Sequence, residues 1–224
     1  MLVPALALAA AACGGNSEQA GAEAAKREAA AEQKAKSGDA APAKVIATPV
    51  PGGAHVPCSQ LIDLAAFQTA LGEKEPLTIK EVTKSDANAA ASCTLVRGGK
   101  RPSAEEQKAM LTRSSRLGIL PGDDLCNVTA YCWTVEDQDR FQAKCKADKD
   151  KDDQAMGSYA CVHVSPVGVD DVKSFKFFDE DTKCILLVRG GPSNVNNDSI
   201  LACAKAARDT IGPAQIQVAA PGGG

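Results

Sequence analysis

KSFKFFDEDTKCILLVR, Lys173 to Arg189, is two apolar runs wrapped around Asp179-Glu180-Asp181-Thr182. Short runs of aromatic and branched residues on either side of an acidic turn cluster predict a β-hairpin. Further short runs lie upstream. Tyr159 to Val164 predicts a strand, and so does Val128 to Val135, which is β-branched and aromatic. In Arg140 to Ala147, Phe141, Ala143 and Cys145 alternate with Arg140, Gln142, Lys144 and Lys146, which predicts a half-buried strand. Leu77, Ile79 and Val82 predict one strand and Cys93 to Arg97 another.

Three helices accompany these strands. Ser59 or Asp63 can cap the first, with Leu64, Phe67 and Leu71 on one stripe and Gly72 at its end. Ser103 and Glu106 form a capping box for the second, which Gly118 can close. Asp198 can cap the third, which carries Ile200, Ala204, Ala207 and Ile211 on one stripe and stops at Gly212-Pro213. The expected class is α+β, with a largely antiparallel sheet, three helices and disulfide staples.

The staples come from cysteine arithmetic. Residues 57–213 form a single expected domain, which holds Cys58, Cys93, Cys126, Cys132, Cys145, Cys161, Cys184 and Cys203. An even set in an exported chain reads as four bridges, with about a hundred connectivities open to it. Metal ligation needs closely spaced pairs, and the shortest gap here is Cys126 to Cys132. A hairpin centred near Lys151–Gln154 would set Cys145 opposite Cys161, within bridging distance.

Leu95-Val96-Arg97-Gly98-Gly99 recurs as Leu187-Val188-Arg189-Gly190-Gly191. Two ββα units would explain it. However, Cys93 stands two residues before its Leu and Cys184 three before, so the cysteines would face opposite sides of the sheet. Either one copy carries a bulge or the recurrence is accidental. Arg97 and Arg189 could act as paired ligand contacts, but a strand-to-helix turn that needs glycine is the preferred reading.

Ahead of the domain the composition changes. Leu2 to Ala12 is apolar but falls short of the ~20 residues a bilayer requires. It has the length of an export-signal core. Small residues then lead to Cys13, Gly14 and Gly15. This arrangement resembles the signal of bacterial lipoproteins. It departs from that family in two ways: no Lys or Arg precedes the run, and Ala10 stands where Leu is more usual. The resemblance implies cleavage after residue 12, acyl chains on Cys13 and attachment to the cell envelope. With Gly14 next, it implies the outer membrane in a Gram-negative cell. Two or three chains anchor a protein without a spanning helix. Residues 13–56 read as a tether, rich in Ala, Glu and Lys and then in Pro and Gly, with a span of roughly 30–40 Å. Residues 214–224 read as a flexible tail.

Pro57-Cys58 before a Leu-rich helix, followed by Ser92-Cys93-Thr94 on a strand, resembles small actinobacterial envelope lipoproteins of unknown function. That resemblance implies a Cys58–Cys93 bridge.

Motifs for chemistry are sparse. His55 falls in the linker, and His163 shares a strand face with Cys161, whose thiol a bridge would consume. Asp148, Asp150 and Asp152 have the opening spacing of a calcium loop. Asp153 and Tyr159 replace its Gly and Glu, so a solvated acidic turn is expected and no metal. Asn127-Val-Thr129 and Asn197-Asp-Ser199 match the glycosylation pattern, but a bacterial lipoprotein gives no reason to expect its use. There is no cofactor motif and none is expected. The net charge of −3 and the lack of a basic stripe argue against a nucleic-acid partner. The expected function is a lipid-anchored binding or structural domain with an envelope protein, glycan or small ligand as partner. Two alternatives are an inhibitor presenting Leu120-Pro121-Gly122-Asp123-Asp124 to a protease, and an enzyme assembled from Asp, Glu and Arg.

Overall fold

The computed structural model describes residues 50, 54–82, 87–114, 116–134, 136–157 and 159–217. The expected signal at 1–12, Cys13 and nearly all of the tether lie outside these residues, as do 218–224. Among the described residues no helix is long and apolar enough to cross a membrane.

In chain order the elements are α1 (Cys58–Leu61), α2 (Leu64–Leu71), β1 (Thr78–Glu81), β2 (Ala91–Val96), α3 (Ala104–Arg113) and β3 (Asp124–Tyr131). They continue with α4 (Gln138–Ala147), β4 (Lys151–Asp152), a 3-10 turn (Gln154–Met156), β5 (Ala160–Val167), β6 (Asp170–Asp179), β7 (Cys184–Gly190) and α5 (Asn197–Thr210). The strands form one antiparallel sheet in the order β1-β2-β3-β7-β6-β5-β4. The class is α+β with five described helices, two more than expected.

Register divides the sheet into two unlike faces. Cys93, Val128, Val188, Phe175 and Val162 oppose one another across five strands, and all are buried. Residues sharing such a row share a face, so this row is the spine of the core. Helix α5 lies over that face with Ile200, Cys203, Ala204 and Ala207 at i, i+3, i+4 and i+7, all 0% exposed. Its N-cap is Asn196, whose side chain accepts from the N–H groups of Asp198 and Ser199; Asp198 is the second helical residue instead of the cap. Helix α2 is capped by Asp63 and ended by Gly72 in the left-handed region, and it buries Phe67. Helix α3 has the expected Ser103–Glu106 capping box but stops at Ser114, well before Gly118.

Four disulfides staple this frame: Cys58–Cys93, Cys126–Cys203, Cys132–Cys184 and Cys145–Cys161. Three tie a helix to the sheet. The last three are concentric in sequence, each loop enclosing the next.

Several expectations need correction. Arg140–Ala147 is not a strand; it lies within α4. Phe141 and Cys145 are four apart, a spacing that fits both periods, and they alone are buried, while Ala143 is exposed. The Asp137 side chain accepts from Arg140 N–H at 2.7 Å and starts the helix. The Cys145–Cys161 bridge therefore joins helix to strand instead of two hairpin strands. The strand expected at 128–135 begins at Asp124 and ends at Tyr131.

The two LVRGG copies are not equivalent. Leu95 opposes Cys126 and faces the core, whereas Leu187 opposes Thr129 and faces the other side. The ladder shifts register between Leu95 and Val96, so the two segments have different backbone paths. Both turns do need glycine, chiefly for space. A Cβ at Gly98 would lie 1.9 Å from the Pro76 carbonyl oxygen, and one at Gly191 would lie 2.0 Å from that of Asp124.

The packed region is wider than 57–213. Val50 and Val56 are buried, and Val50 N–H donates to the Cys132 carbonyl. Ile216 is also buried, and the Gln60 amide donates to the carbonyls of Gln215 and Gln217.

Candidate functional site

The second face of the sheet is polar and only partly covered. Helix α4 closes one end, where Phe141 and Cys145 pack with Phe178 and Ile185. Beyond α4, opposed rows place Ser92, Thr129, Leu187, Lys176 and Cys161 together, then Thr94, Asn127, Arg189, Ser174 and His163. The hydroxyls and amide of β2 and β3 satisfy one another. Asn127 Nδ2 donates to Ser92 Oγ at 3.2 Å and to Thr94 Oγ1 at 3.0 Å, and Thr129 Oγ1 donates to Asn127 Oδ1 at 2.8 Å. The β6 and β7 part of the face is the floor of a groove.

One wall is the C-terminal end of α4. Asp150 N–H donates to the Cys145 carbonyl and Lys149 N–H to that of Lys146. These are the two reversed bonds of a Schellman ending. Lys149 holds the left-handed position at φ 60°, where glycine is preferred. This turn carries Asp150 back over the sheet, where its side chain is 1% exposed. Its Oδ1 lies 2.8 Å from His163 Nδ1, and its Oδ2 accepts from Lys176 Nζ at 3.0 Å. Lys176 also donates to Asp148 Oδ2 at 2.8 Å. Burial works against the Lys176 charge, but the two carboxylates outweigh it and raise its pKa above the ordinary lysine value. Lys176 in turn holds the Asp148 carboxyl below its ordinary value. The acidic turn is therefore not simply solvated: Asp150 is an internal ion-pair partner, and Asp152 is separated from it on β4.

The other wall is the segment after β3. Glu136 N–H donates to the Lys183 carbonyl. Its side chain is 9% exposed, and Oε1 accepts from Lys144 Nζ and Thr134 Oγ1, each at 3.1 Å. Its second oxygen, Oε2, is buried and accepts no hydrogen bond among the described residues. Trp133, the single tryptophan of the chain, stands here and donates from Nε1 to the Ala54 carbonyl at 2.9 Å.

Two adjoining hollows of about 510 Å³ and about 470 Å³ make up the groove, and Lys176, Leu187 and Arg189 line both. Asp148, Asp150 and His163 line the first, while Glu136, Lys144, Tyr131 and Trp133 line the second. The charges largely pair off. Arg189 is the exception: its side chain is exposed and enters no ion pair or hydrogen bond among the described residues.

The other sequence candidates lie elsewhere or are engaged. Arg97 is not paired with Arg189. It sits on the far side of the β2 bulge, where Nε donates to Glu73 Oε2 at 2.8 Å and NH1 donates to the Ile119 carbonyl. His55 packs edge-on to Trp133. Sγ of Cys145 and Cys161 and a carboxylate oxygen of Asp150 lie within 4.8 Å of one another, but both sulfurs are spent in the disulfide and cannot bind a metal as thiolates. Asn127 is held in its hydroxyl network, and Asn197 Nδ2 donates to the Asp171 carbonyl at 2.8 Å. The Leu120–Asp124 loop does not stand free. Leu120 is buried, Gly122 N–H donates to the Arg97 carbonyl, and Arg101 bonds both Pro121 O and Asp123 Oδ1. Burial disfavours the Asp123 charge, yet Arg101 and the Leu120 N–H overcome it and lower its pKa.

The sequence does not single out Glu136, Lys144, Trp133 or Lys176 as site residues. Lys144 figures in it only as a polar position of the strand expected over 140–147, and Lys176 only inside the hairpin run 173–189. No protein-family model matches the chain, and no curated protein or solved structure matches it either.

Proposed function

We propose that this chain is a lipid-anchored cell-envelope protein whose disulfide-stapled domain binds an anionic ligand in the groove over β6 and β7. The observation that carries the binding reading is Arg189, a guanidinium with no ion pair or hydrogen bond among the described residues, on the floor of a groove whose other described cations are occupied. Lys144 is held by Glu136, and Lys176 by Asp148 and Asp150. A guanidinium presents a planar fork of donors that matches a carboxylate or phosphate. Ser174 and His163 in the same row offer further polar contacts, while Leu187 and Ile185 provide an apolar bed.

The export reading is supported by the pairing of all eight domain cysteines, since such bridges persist in oxidising compartments. The lipid anchor rests on the Cys13 resemblance. An inhibitor reading is disfavoured by the tied-down Leu120–Asp124 loop.

Trp133 reports on the groove. Titration of the protein with N-acetyl-L-leucine should change its tryptophan fluorescence saturably, and Arg189→Gln should weaken that binding at least tenfold. An unchanged titration in the Arg189→Gln protein refutes the anion site. Independently, Cys13→Ala should move the protein from the membrane fraction to the soluble fraction. Retention at the membrane refutes the anchor.

A further inference from the structure

Two charged groups of opposite sign in the groove have no partner among the described residues, and together they describe a ligand more closely than either does alone. Arg189 is exposed and meets no acceptor among those residues. Glu136 Oε2 meets no donor among them, in a side chain that is nine-tenths buried. Both residues line the same hollow of about 470 Å³. A buried carboxylate oxygen without a donor forfeits the hydration it had in the unfolded chain, and proteins seldom leave such an atom unpaired.

The local alternatives for satisfying Oε2 are already used. Lys144 and Thr134 both donate to Oε1. Lys176 lines the hollow too, but its ammonium is held by Asp148 and Asp150. Trp133 Nε1 points to the Ala54 carbonyl. Each of these donors would have to give up an existing bond to reach Oε2. A donor supplied by a bound molecule would not, and an ammonium in this position would also complement the charge of Glu136.

Resting on the anion reading of the groove, we infer that its ligand is a zwitterion of the amino-acid or short-peptide class. Its carboxylate sits on Arg189, its ammonium meets Glu136 Oε2, and its apolar body lies on Ile185 and Leu187. The pairing of the remaining charges fits this class. Lys144 and Lys176 are set against Glu136, Asp148 and Asp150, and Arg189 brings the cations to three against three acids, so the groove favours no strongly charged ligand.

Three probes separate the two ends of such a molecule by Trp133 fluorescence on the full chain. L-leucine carries both charges, N-acetyl-L-leucine only the carboxylate, and L-leucinamide only the ammonium. L-leucine should bind best, with each single-charge probe at least tenfold weaker. Glu136→Gln should erase the advantage of L-leucine over N-acetyl-L-leucine and leave the affinity for N-acetyl-L-leucine within twofold. If N-acetyl-L-leucine binds as tightly as L-leucine and Arg189→Gln weakens both, the anion site stands and the ammonium site is overturned. If L-leucinamide matches L-leucine, the anion reading itself falls. If no probe binds at millimolar concentration, both fall. The comparison of probes on the wild-type protein decides the matter even where a Glu136 variant folds poorly.

Discussion

Removing the Cys126–Cys203 bridge tests how the fold is held together. The two residues are separated by 77 positions, and both are fully buried where α5 meets β3. Closing a loop of that length restricts the unfolded chain by about 4.5 kcal/mol in the chain-entropy treatment. The Cys132–Cys184 bridge lies inside it and already shortens that loop, which lowers the expectation to about 3.5 kcal/mol. Vacating two buried sulfur positions adds about 1 kcal/mol of lost packing. A Cys126→Ala, Cys203→Ala protein should therefore lose about 4–5 kcal/mol, a large share of the stability of a domain this size. Urea denaturation followed by Trp133 fluorescence measures it. The denatured chain should also expand, so the dependence on urea should steepen. The Cys145–Cys161 bridge spans only 16 positions; its chain term is about 3 kcal/mol, and lost packing at its two buried sulfurs brings the cost of its removal to about 4 kcal/mol. A loss below about 1 kcal/mol for the outer bridge would refute the reasoning.

Other expectations follow from single residues. Lys149→Gly should raise stability by about 1 kcal/mol, because Lys149 occupies a left-handed position that costs side chains with a Cβ about that much; a decrease in the urea midpoint would contradict it. Gly191→Ala should cost roughly 2 kcal/mol or more, since its Cβ would fall 2.0 Å from the Asp124 carbonyl oxygen and backbone must shift. The Lys176 pairs give a pH window with a definite sign. Lys176 has a raised folded pKa, so its contribution is intact below the ordinary value of 10.5 and is lost as pH rises through the folded value. Asp148 is depressed, so its contribution is intact above its ordinary value of 3.8 and is lost as pH falls through the folded value. Lys176→Met should flatten both limbs of the urea midpoint against pH, and parallel profiles for variant and wild type would contradict the pairing. Thiol titration of denatured, unreduced protein should find none of the eight domain cysteines free, and four or more would contradict the bridges.

Much of the framework could be read locally. The hairpin at Lys173–Arg189 follows from two apolar runs about an acidic turn, and α2 from Asp63, a 3.6-residue stripe and Gly72. Helix α4 was misread because Phe141 and Cys145, four apart, satisfy the period of a strand and of a helix equally well. The N-cap at Asp137 was the deciding signal. The recurrence already carried a conflict of faces in its cysteine spacing, and the sheet resolves it: Leu95 opposes Cys126 and Leu187 opposes Thr129, three residues apart on β3, so the two copies face opposite sides. The groove was least legible. Its walls come from segments near 133–136 and 144–150, and its floor from β6 and β7, elements far apart in the chain. Arg189 drew notice only through its place in LVRGG. Glu136 has no motif at all; its significance lies in a buried oxygen that sequence cannot display.

The side-chain Nε–Hε signal of Arg189 in a proton–nitrogen spectrum reads the groove without relying on fluorescence. On addition of L-leucine it should move progressively and saturate, with Leu187 and Ser174 amides moving alongside it. An Arg189 signal that stays in place while leucine binds elsewhere, or at no site, would contradict the account.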